Sequence, residues 1–226
     1  MNNRNYCIII PAYQAAETLP PLLKYITMQF AENDIFIVDD GSTDQTSDIM
    51  NHYPKIHLIK HSVNRGKGAA LQSGFRAAYR LGYQFAVCLD ADLQHDPNYI
   101  SYFIATQKQK HADLVLGVRD FTFRAMPFHR ILSNTITSFL ISIRTGRRIH
   151  DSQCGYRLLN LKIVQPFQFS ENGFQFESEV LIKLLLAGFK YTEIKIPTIY
   201  CTNHSSINNI KDTYKFIRLF FKSYLW

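Results

Sequence analysis

Two short acidic clusters in the 226-residue chain carry groups able to do chemistry: Val38-Asp39-Asp40-Gly41-Ser42 and Asp90-Ala91-Asp92-Leu93-Gln94. In the second, alternate spacing turns both carboxylates toward one ion, and Gln94 adds a neutral oxygen. Hard oxygen donors of this kind suit Mg2+ or Mn2+, which keep positions open for water and phosphate oxygens. Like charges from both clusters, gathered in one crevice, would repel unless a cation or a donor-rich ligand lay between them. Each cluster also has a plain structural explanation. Asp-Gly-Ser is a turn in which Ser42 or Asp44 caps the next helix, and a single D-x-D occurs in many exposed loops. A third segment, Asn64-Arg65-Gly66-Lys67-Gly68, opens a predicted helix, and glycine-rich helix starts attract anions. It does not match the nucleoside-triphosphate phosphate loop, and no G-x-G-x-x-G occurs. Neither a P-loop ATPase nor a dinucleotide dehydrogenase is supported, and Lys67 in solvent is the simpler alternative.

These groups must be positioned by the elements around them. Apolar, β-branched runs predict strands at Tyr6–Ile10, Ile35–Val38, His57–Lys60, Phe85–Leu89 and Asp113–Leu116. Helical spacing of apolar residues falls between them, at Thr18–Phe30, Asp44–His52, Gly66–Leu81 and Pro97–Lys108. Strand–helix alternation predicts a doubly wound α/β sheet, whose ligand lies outside the carboxyl ends of the strands. That is where the acidic clusters fall. After Gly117 the pattern breaks into a basic amphipathic stretch, residues 121–149, before strand-like and helical runs resume. With no repeat or Pro/Gly linker, a single domain spanning residues 1–226 is expected, a first half to 119 and a second from 120.

Composition narrows the partners. A hydrophobic share of 46% is too high for a disordered chain. The net charge of +7 and a sequence pI near 9.2 favour an anionic partner. Nucleic acid is disfavoured, because no recognition motif or basic repeat occurs and acidic strand ends repel phosphate. No apolar run is long enough to span a membrane, and MNNRNYCIIIPAY lacks a secretory signal core. Cys7, Cys88, Cys154 and Cys201 are scattered, without zinc spacing, which suits a reducing, cytoplasmic compartment.

Taken together, Pro11-Ala12-Tyr13, Val38-Asp39-Asp40-Gly41-Ser42-Thr43-Asp44, Asn64-Arg65-Gly66-Lys67-Gly68-Ala69-Ala70 and Asp90-Ala91-Asp92-Leu93-Gln94-His95 resemble a family 2 glycosyltransferase. The branch most similar is that of dolichol-phosphate mannose synthases and polyprenyl-phosphate sugar transferases. Similarity continues through Gly117-Val118-Arg119, Asp151-Ser152-Gln153-Cys154-Gly155-Tyr156-Arg157 and Phe176-Glu177-Ser178-Glu179. The resemblance implies a GT-A type, Rossmann-like α/β fold, with a mostly parallel sheet and helices on both faces. It implies a nucleoside diphosphate sugar donor flanked by Pro11, Ala12, Tyr13, Asp39, Asp40, Lys67, Asp90, Ala91, Asp92 and Arg157. By the same implication Asp90, Asp92 and Gln94 hold Mg2+ or Mn2+ against the diphosphate, and Arg119, Arg130 and Arg157 meet phosphate groups. An inverting reaction is likewise implied.

The acceptor decides what else is needed. A polyprenyl phosphate is already ionised and needs no strong base, whereas a glycan or other hydroxyl acceptor needs one, with Glu177 or Glu179 the candidates. Acids in the first turn of a FESEVLIKLLL helix are equally explained by the helix dipole. Two departures stand out. Gln14-Ala15 follow Tyr13 where the family often has Asn-Glu, and Thr202-Asn203-His204-Ser205-Ser206 replace an Arg and a Lys of the mannose synthases.

Two segments suit an interface. Residues 126–144 place Leu132, Ile136, Phe139, Leu140 and Ile143 on one helical face. The C-terminal KDTYKFIRLFFKSYLW mixes Lys211, Lys215, Arg218 and Lys222 with aromatic residues. Contact with a membrane surface at its cytoplasmic face, packing against the domain and a homo-oligomer contact all fit. Rival readings from other classes are a non-catalytic nucleotide-sugar binder and a nucleotidyltransferase.

Overall fold

A computed structural model describes residues 5–120, 128–199 and 209–226. The strands are β1 (Tyr6–Ala12), β2 (Ile35–Asp39), β3 (His57–Lys60), β4 (Phe85–Cys88), β5 (Leu114–Arg119), β6 (Arg157–Asn160) and β7 (Tyr191–Ile196). The helices are α1 (Leu19–Thr27), α2 (Lys67–Arg80), α3 (Tyr99–Lys110), α4 (Phe128–Thr145), α5 (Leu161–Val164), α6 (Gln175–Leu186) and α7 (Asn209–Lys222). All seven strands join one sheet in the order β3-β2-β1-β4-β6-β5-β7. Only β6 runs antiparallel, between β4 and β5.

The sheet is covered on both faces, which explains its apolar strands. Cys7, Ile9, Phe36 and Val38 point into the core beneath α2 and α6, with Leu71, Phe75, Phe176 and Val180. The alternate residues Ile8, Ile10, Ile35 and Ile37 face the other side, against Leu19, Leu23 and Ile26 of α1 and Ile100 and Phe103 of α3. Strand order reverses between β1 and β4, so the crevice of a doubly wound sheet opens there. Because β6 is antiparallel, its first residue, Arg157, pairs with Cys88 at the carboxyl end of β4. The loop before β6 is thereby delivered to the same edge.

The predicted helix over Asp44–His52 is corrected to a 3-10 turn at Asp48–His52. Asp44 Oδ1 accepts from the backbone N–H and hydroxyl of Thr46, and Oδ2 accepts from Ala16 N–H (3.1 Å). These local bonds compete with a helix for the same backbone groups. The part of the basic stretch at 121–127, the Cys201 and Thr202–Ser206 readings and the side chain of Lys211 lie outside the described residues.

Helix α2 presses on the sheet at Gly74, where an added Cβ would lie 2.6 Å from Ile9 Cγ2 and 3.3 Å from Val38 Cγ2. Helix propensity alone favours alanine there by about 1 kcal/mol. The stiff, β-branched partners on two central strands reverse the sign. Gly74→Ala is expected to lower stability by about 1–3 kcal/mol, read as a lower denaturation midpoint in urea at unchanged slope.

Candidate active site

Three charged side chains meet at the carboxyl edge of the sheet. Lys67, the first residue of α2, places its ammonium 2.6 Å from Asp90 Oδ1 and 3.2 Å from Glu177 Oε1. Asp90 follows β4, and Glu177 lies in the first turn of α6. Burial alone would lower the Lys67 pKa, but the two carboxylates outweigh it and hold the group above its ordinary value. Burial would raise the Asp90 pKa, and Lys67 reverses that shift, so the carboxylate stays ionised. Gly155 permits this approach: a Cβ there would lie 2.8 Å from Asp90 Oδ2, 2.8 Å from Lys67 Nζ and 3.1 Å from Glu177 Oε1. Any larger residue pries the cluster apart.

Asp92 stands just outside this cluster. Its Oδ1 accepts Gln94 N–H at 3.0 Å, which turns the loop back and keeps Gln94 beside it. Partial withdrawal from water and the neighbouring Asp90 charge both push the Asp92 carboxyl up. Against the single Lys67 ammonium stand three carboxyl groups, so a cation is favoured in the crevice. Among the described residues no group of three or more His, Cys, Asp and Glu side chains forms a metal cluster. The sequence-expected donors Asp90, Asp92 and Gln94 offer hard oxygens, and an ion held by them would complete its shell from water and a ligand's phosphates. That donor set, all hard oxygen and incomplete without a ligand, fits Mg2+ or Mn2+.

The first acidic cluster is built into the backbone. Asp40 Oδ1 accepts from His61 Nδ1 (2.6 Å) and Arg65 N–H (3.0 Å), and Oδ2 accepts from Gly66 N–H (2.7 Å). It fixes the loop that delivers Lys67. Asp39 accepts from Ser42 N–H (2.9 Å) and the Ser47 hydroxyl. Pro11 and Ala12 end β1, Ala91 is packed in the core, and Tyr13 is half exposed beside the crevice. Gln14 locks the two neighbouring loops together: its Oε1 accepts Thr43 and Asp44 N–H groups, and its Nε2 donates to Thr43 Oγ1. An amide can accept and donate at once, so Gln14 can link these loops without adding a charge.

Three expected residues have firm partners inside the fold. Arg157, buried, donates to the carbonyls of Ser152 (2.6 Å), Cys154 (2.7 Å) and Glu177 (2.7 Å). Its charge fastens the loop around Gly155 to α6. Glu179 is fully buried and accepts from Ser170 N–H and hydroxyl, Glu171 N–H and Lys183 Nζ. These bonds make it an anchor for the Ser170–Glu171 backbone. Arg119 is held in a two-point ion pair by Asp151, Nε–Oδ2 2.8 Å and Nη2–Oδ1 3.0 Å. Burial would raise the Asp151 pKa, but Arg119 and the amide of Asn134 hold it below the ordinary carboxyl range. Arg130 is half-buried in the first turn of α4, one turn before Asn134.

Sequence reasoning did not assign roles to Asp151, Gly155 or Gln14. The polar Asp151-Ser-Gln-Cys-Gly155 run directly before an apolar strand was the available signal.

Removing Glu179 leaves buried donors without their acceptor. Glu179→Ala is expected to cost about 3 kcal/mol or more, measured by chemical denaturation. The fraction that folds is expected to retain its specific activity.

The Glycosyl transferase family 2 profile matches residues 7–166. A UDP-N-acetylglucosamine–dolichyl-phosphate N-acetylglucosaminyltransferase of Methanococcus voltae is 32% identical over 215 residues, covering 85% of each chain. A polyprenol monophosphomannose synthase of Mycolicibacterium smegmatis is 29% identical over 204 residues, covering 84% of this chain and 75% of its own. Glucosyl-3-phosphoglycerate synthase of Mycobacterium tuberculosis, solved with Mn2+, UDP and glucosyl-3-phosphoglycerate, superposes with a TM-score of 0.73. That likeness, at 16% identity over 98% of this chain and 79% of the other, establishes the GT-A type fold. By the profile matched over most of its length, and by relatives aligned over more than four-fifths of it, the chain belongs to glycosyl transferase family 2.

Proposed function

We propose that the protein transfers a sugar from a nucleoside diphosphate sugar to a polyprenyl phosphate, with inversion at the anomeric carbon and dependence on Mg2+ or Mn2+. The observation that carries the choice of acceptor is the state of the two candidate bases. Glu177 is paired with Lys67, and Glu179 is enclosed by four donors. An acceptor that must lose a proton would need one of them free. A phosphate acceptor arrives ionised. The names of the two relatives, each a transferase with a dolichyl phosphate or polyprenol phosphate product or acceptor, support the same reading.

Pro11, Ala12, Tyr13 and Asp39 would receive the nucleoside, and Asp40 holds the loop that aims Lys67. Asp90, Asp92 and Gln94 would hold the divalent ion, which when bound neutralises charge on the departing nucleoside diphosphate. Arg119, kept in place by Asp151, and Arg130 supply positive charge for donor or acceptor phosphates. An acceptor phosphate oxygen attacks the anomeric carbon opposite the diphosphate. The new C–O bond forms as the old one breaks, the diphosphate takes the bonding pair, and no protein group has to accept a proton.

Among the described residues no helix is long and apolar enough to cross a membrane. A nucleotide-sugar donor and a lipid acceptor place the reaction at the cytoplasmic face, with the protein bound peripherally.

The test is a panel of nucleotide sugars with Mn2+, with and without polyprenyl phosphate, following nucleoside diphosphate release and sugar on lipid. Release that requires the lipid phosphate is expected. Equal turnover without it, or transfer to a glycan hydroxyl that Glu177→Gln abolishes, would overturn the acceptor assignment. Tight donor binding with no turnover on any acceptor would mark a binder rather than an enzyme. Asp92→Ala under saturating Mn2+ is expected to lose about 100-fold or more in rate, the scale of leaving-group charge stabilisation. Full activity in that variant would remove the metal role.

A further inference from the structure

Helix α4 is packed with its polar side inward. Asn134, Thr137 and Ser138 are buried with Ile141, whereas Phe128, Leu132, Ile136, Phe139 and Ile143 are exposed at four- and three-residue spacing. Phe139 leaves 62% of its surface in solvent. Helix α7 repeats the pattern, with Tyr214, Ile217 and Phe221 exposed on one side and Phe216 and Leu219 buried on the other. The two helices are tied together. Arg144, in the last turn of α4, donates to Ser223 Oγ (3.0 Å) and to the Ser223 carbonyl (2.5 Å), and stacks 4.6 Å from the Tyr224 ring.

The exposed charges around these apolar faces are mainly positive; the nearby acids Glu171 and Glu193 are paired with Arg218 and His150. Helix α4 contains no acid, and Arg147 and Arg148 directly after it are exposed. Lys215 is exposed on α7, and its acid, Asp212, accepts from Gln175 at 3.2 Å on the inner side. Apolar and aromatic residues edged by cations complement an anionic bilayer surface better than a second copy of the same cationic patch.

The inward side of α4 leads to the site. Asn134 Nδ2 donates to Asp151 Oδ1 at 2.6 Å, the carboxylate that clamps Arg119. Asn134 Oδ1 accepts from the Ser138 hydroxyl (2.9 Å), and Ser138 Oγ accepts from Ser152 N–H (2.9 Å). We propose that α4 and α7 form one docking surface for an anionic lipid bilayer, and that Asn134 is a positioning residue through which docking orders Asp151 and Arg119. This deepens the lipid-phosphate reading and rests on it for its purpose, so its test contains neither donor nor acceptor.

The whole protein is mixed with phosphatidylglycerol–phosphatidylcholine vesicles free of polyprenyl phosphate. Sedimentation measures binding, and amide hydrogen exchange is followed at residues 117–119 and 149–153. Wild-type protein is expected to bind these vesicles at least about tenfold more tightly than neutral ones, and Phe139→Glu to lose about tenfold. Binding is expected to slow exchange in both segments. Asn134→Ala should bind as wild type without that slowing. Ser138→Ala, a milder change, should weaken the slowing in the same direction and serves if Asn134→Ala does not fold. Undiminished binding by Phe139→Glu, or equal slowing in both inner-face variants, would overturn the proposal. A dimer in solution that Phe139→Glu dissociates, without vesicle binding by wild type, would assign the surface to a second copy instead. Loss of lipid-phosphate transfer in the separate assay would leave these readouts unchanged.

Discussion

The Lys67 ammonium lies between the Asp90 and Glu177 carboxylates at a spot where a single added methyl on Gly155 would collide with all three. An unpaired charge so enclosed costs several kcal/mol, so each member is tolerable only while the others are in place. The contact joins the end of β4, the start of α2 and the start of α6, elements far apart in sequence. The surrounding polar residues keep that geometry. Asp40 grips the loop before Lys67, and Arg157 ties Ser152, Cys154 and Glu177 to one guanidinium. An edge crowded with negative groups is thus balanced in part by Lys67, with Asp92 standing outside that cluster.

This arrangement explains what was legible beforehand. Parallel strands buried on both faces leave continuous apolar runs, so β1, β2 and β4 could be located within a residue or two, with the acids at their ends. The antiparallel β6 was less visible, because Arg157–Asn160 is four residues long and lies between a loop and a helix. The roles of Arg157 and Glu179 could not be told from residue type. An Arg near an acidic edge suits phosphate equally well before its three carbonyl partners are known. Glu177 and Glu179 sit two apart in one helix, so they project in different directions: one to Lys67, the other to the backbone of Ser170 and Glu171. Spacing separated their directions but did not say which way the helix was turned.

The same limit applies to α4. Its apolar stripe was plain in sequence, and a soluble domain normally turns such a stripe inward. Here the stripe faces out, because Asn134 and Ser138 bond to Asp151 and Ser152 in the loop before β6, and the Ser152 hydroxyl donates to Thr137 at 3.4 Å. A buried polar face is acceptable once its groups are satisfied, and Ile141 and Leu140 supply the apolar packing beside it. The exposed stripe is therefore a consequence of bonding near the site, rather than a surplus of hydrophobic residues.

The positive charge of the chain takes on a definite distribution in this light. Lys67, Arg119, Arg157 and Lys183 are each matched by an acid or by carbonyls inside the fold, so they contribute little to the outer field. Among the exposed cations, Arg147, Arg148 and Lys215 lie beside α4 and α7, whereas at the crevice three carboxyl groups stand against the Lys67 ammonium. One molecule therefore presents two different attractions. Under the proposed function, a cation-bearing anionic ligand would be drawn to the sheet edge and an anionic surface to the helices. An acceptor with a phosphate head and an apolar tail satisfies both at once, provided the helices and the crevice are held in register. The Asn134–Asp151–Arg119 chain is the covalently separate but continuous contact that can keep that register, because a shift of α4 would break bonds that Arg119 also depends on.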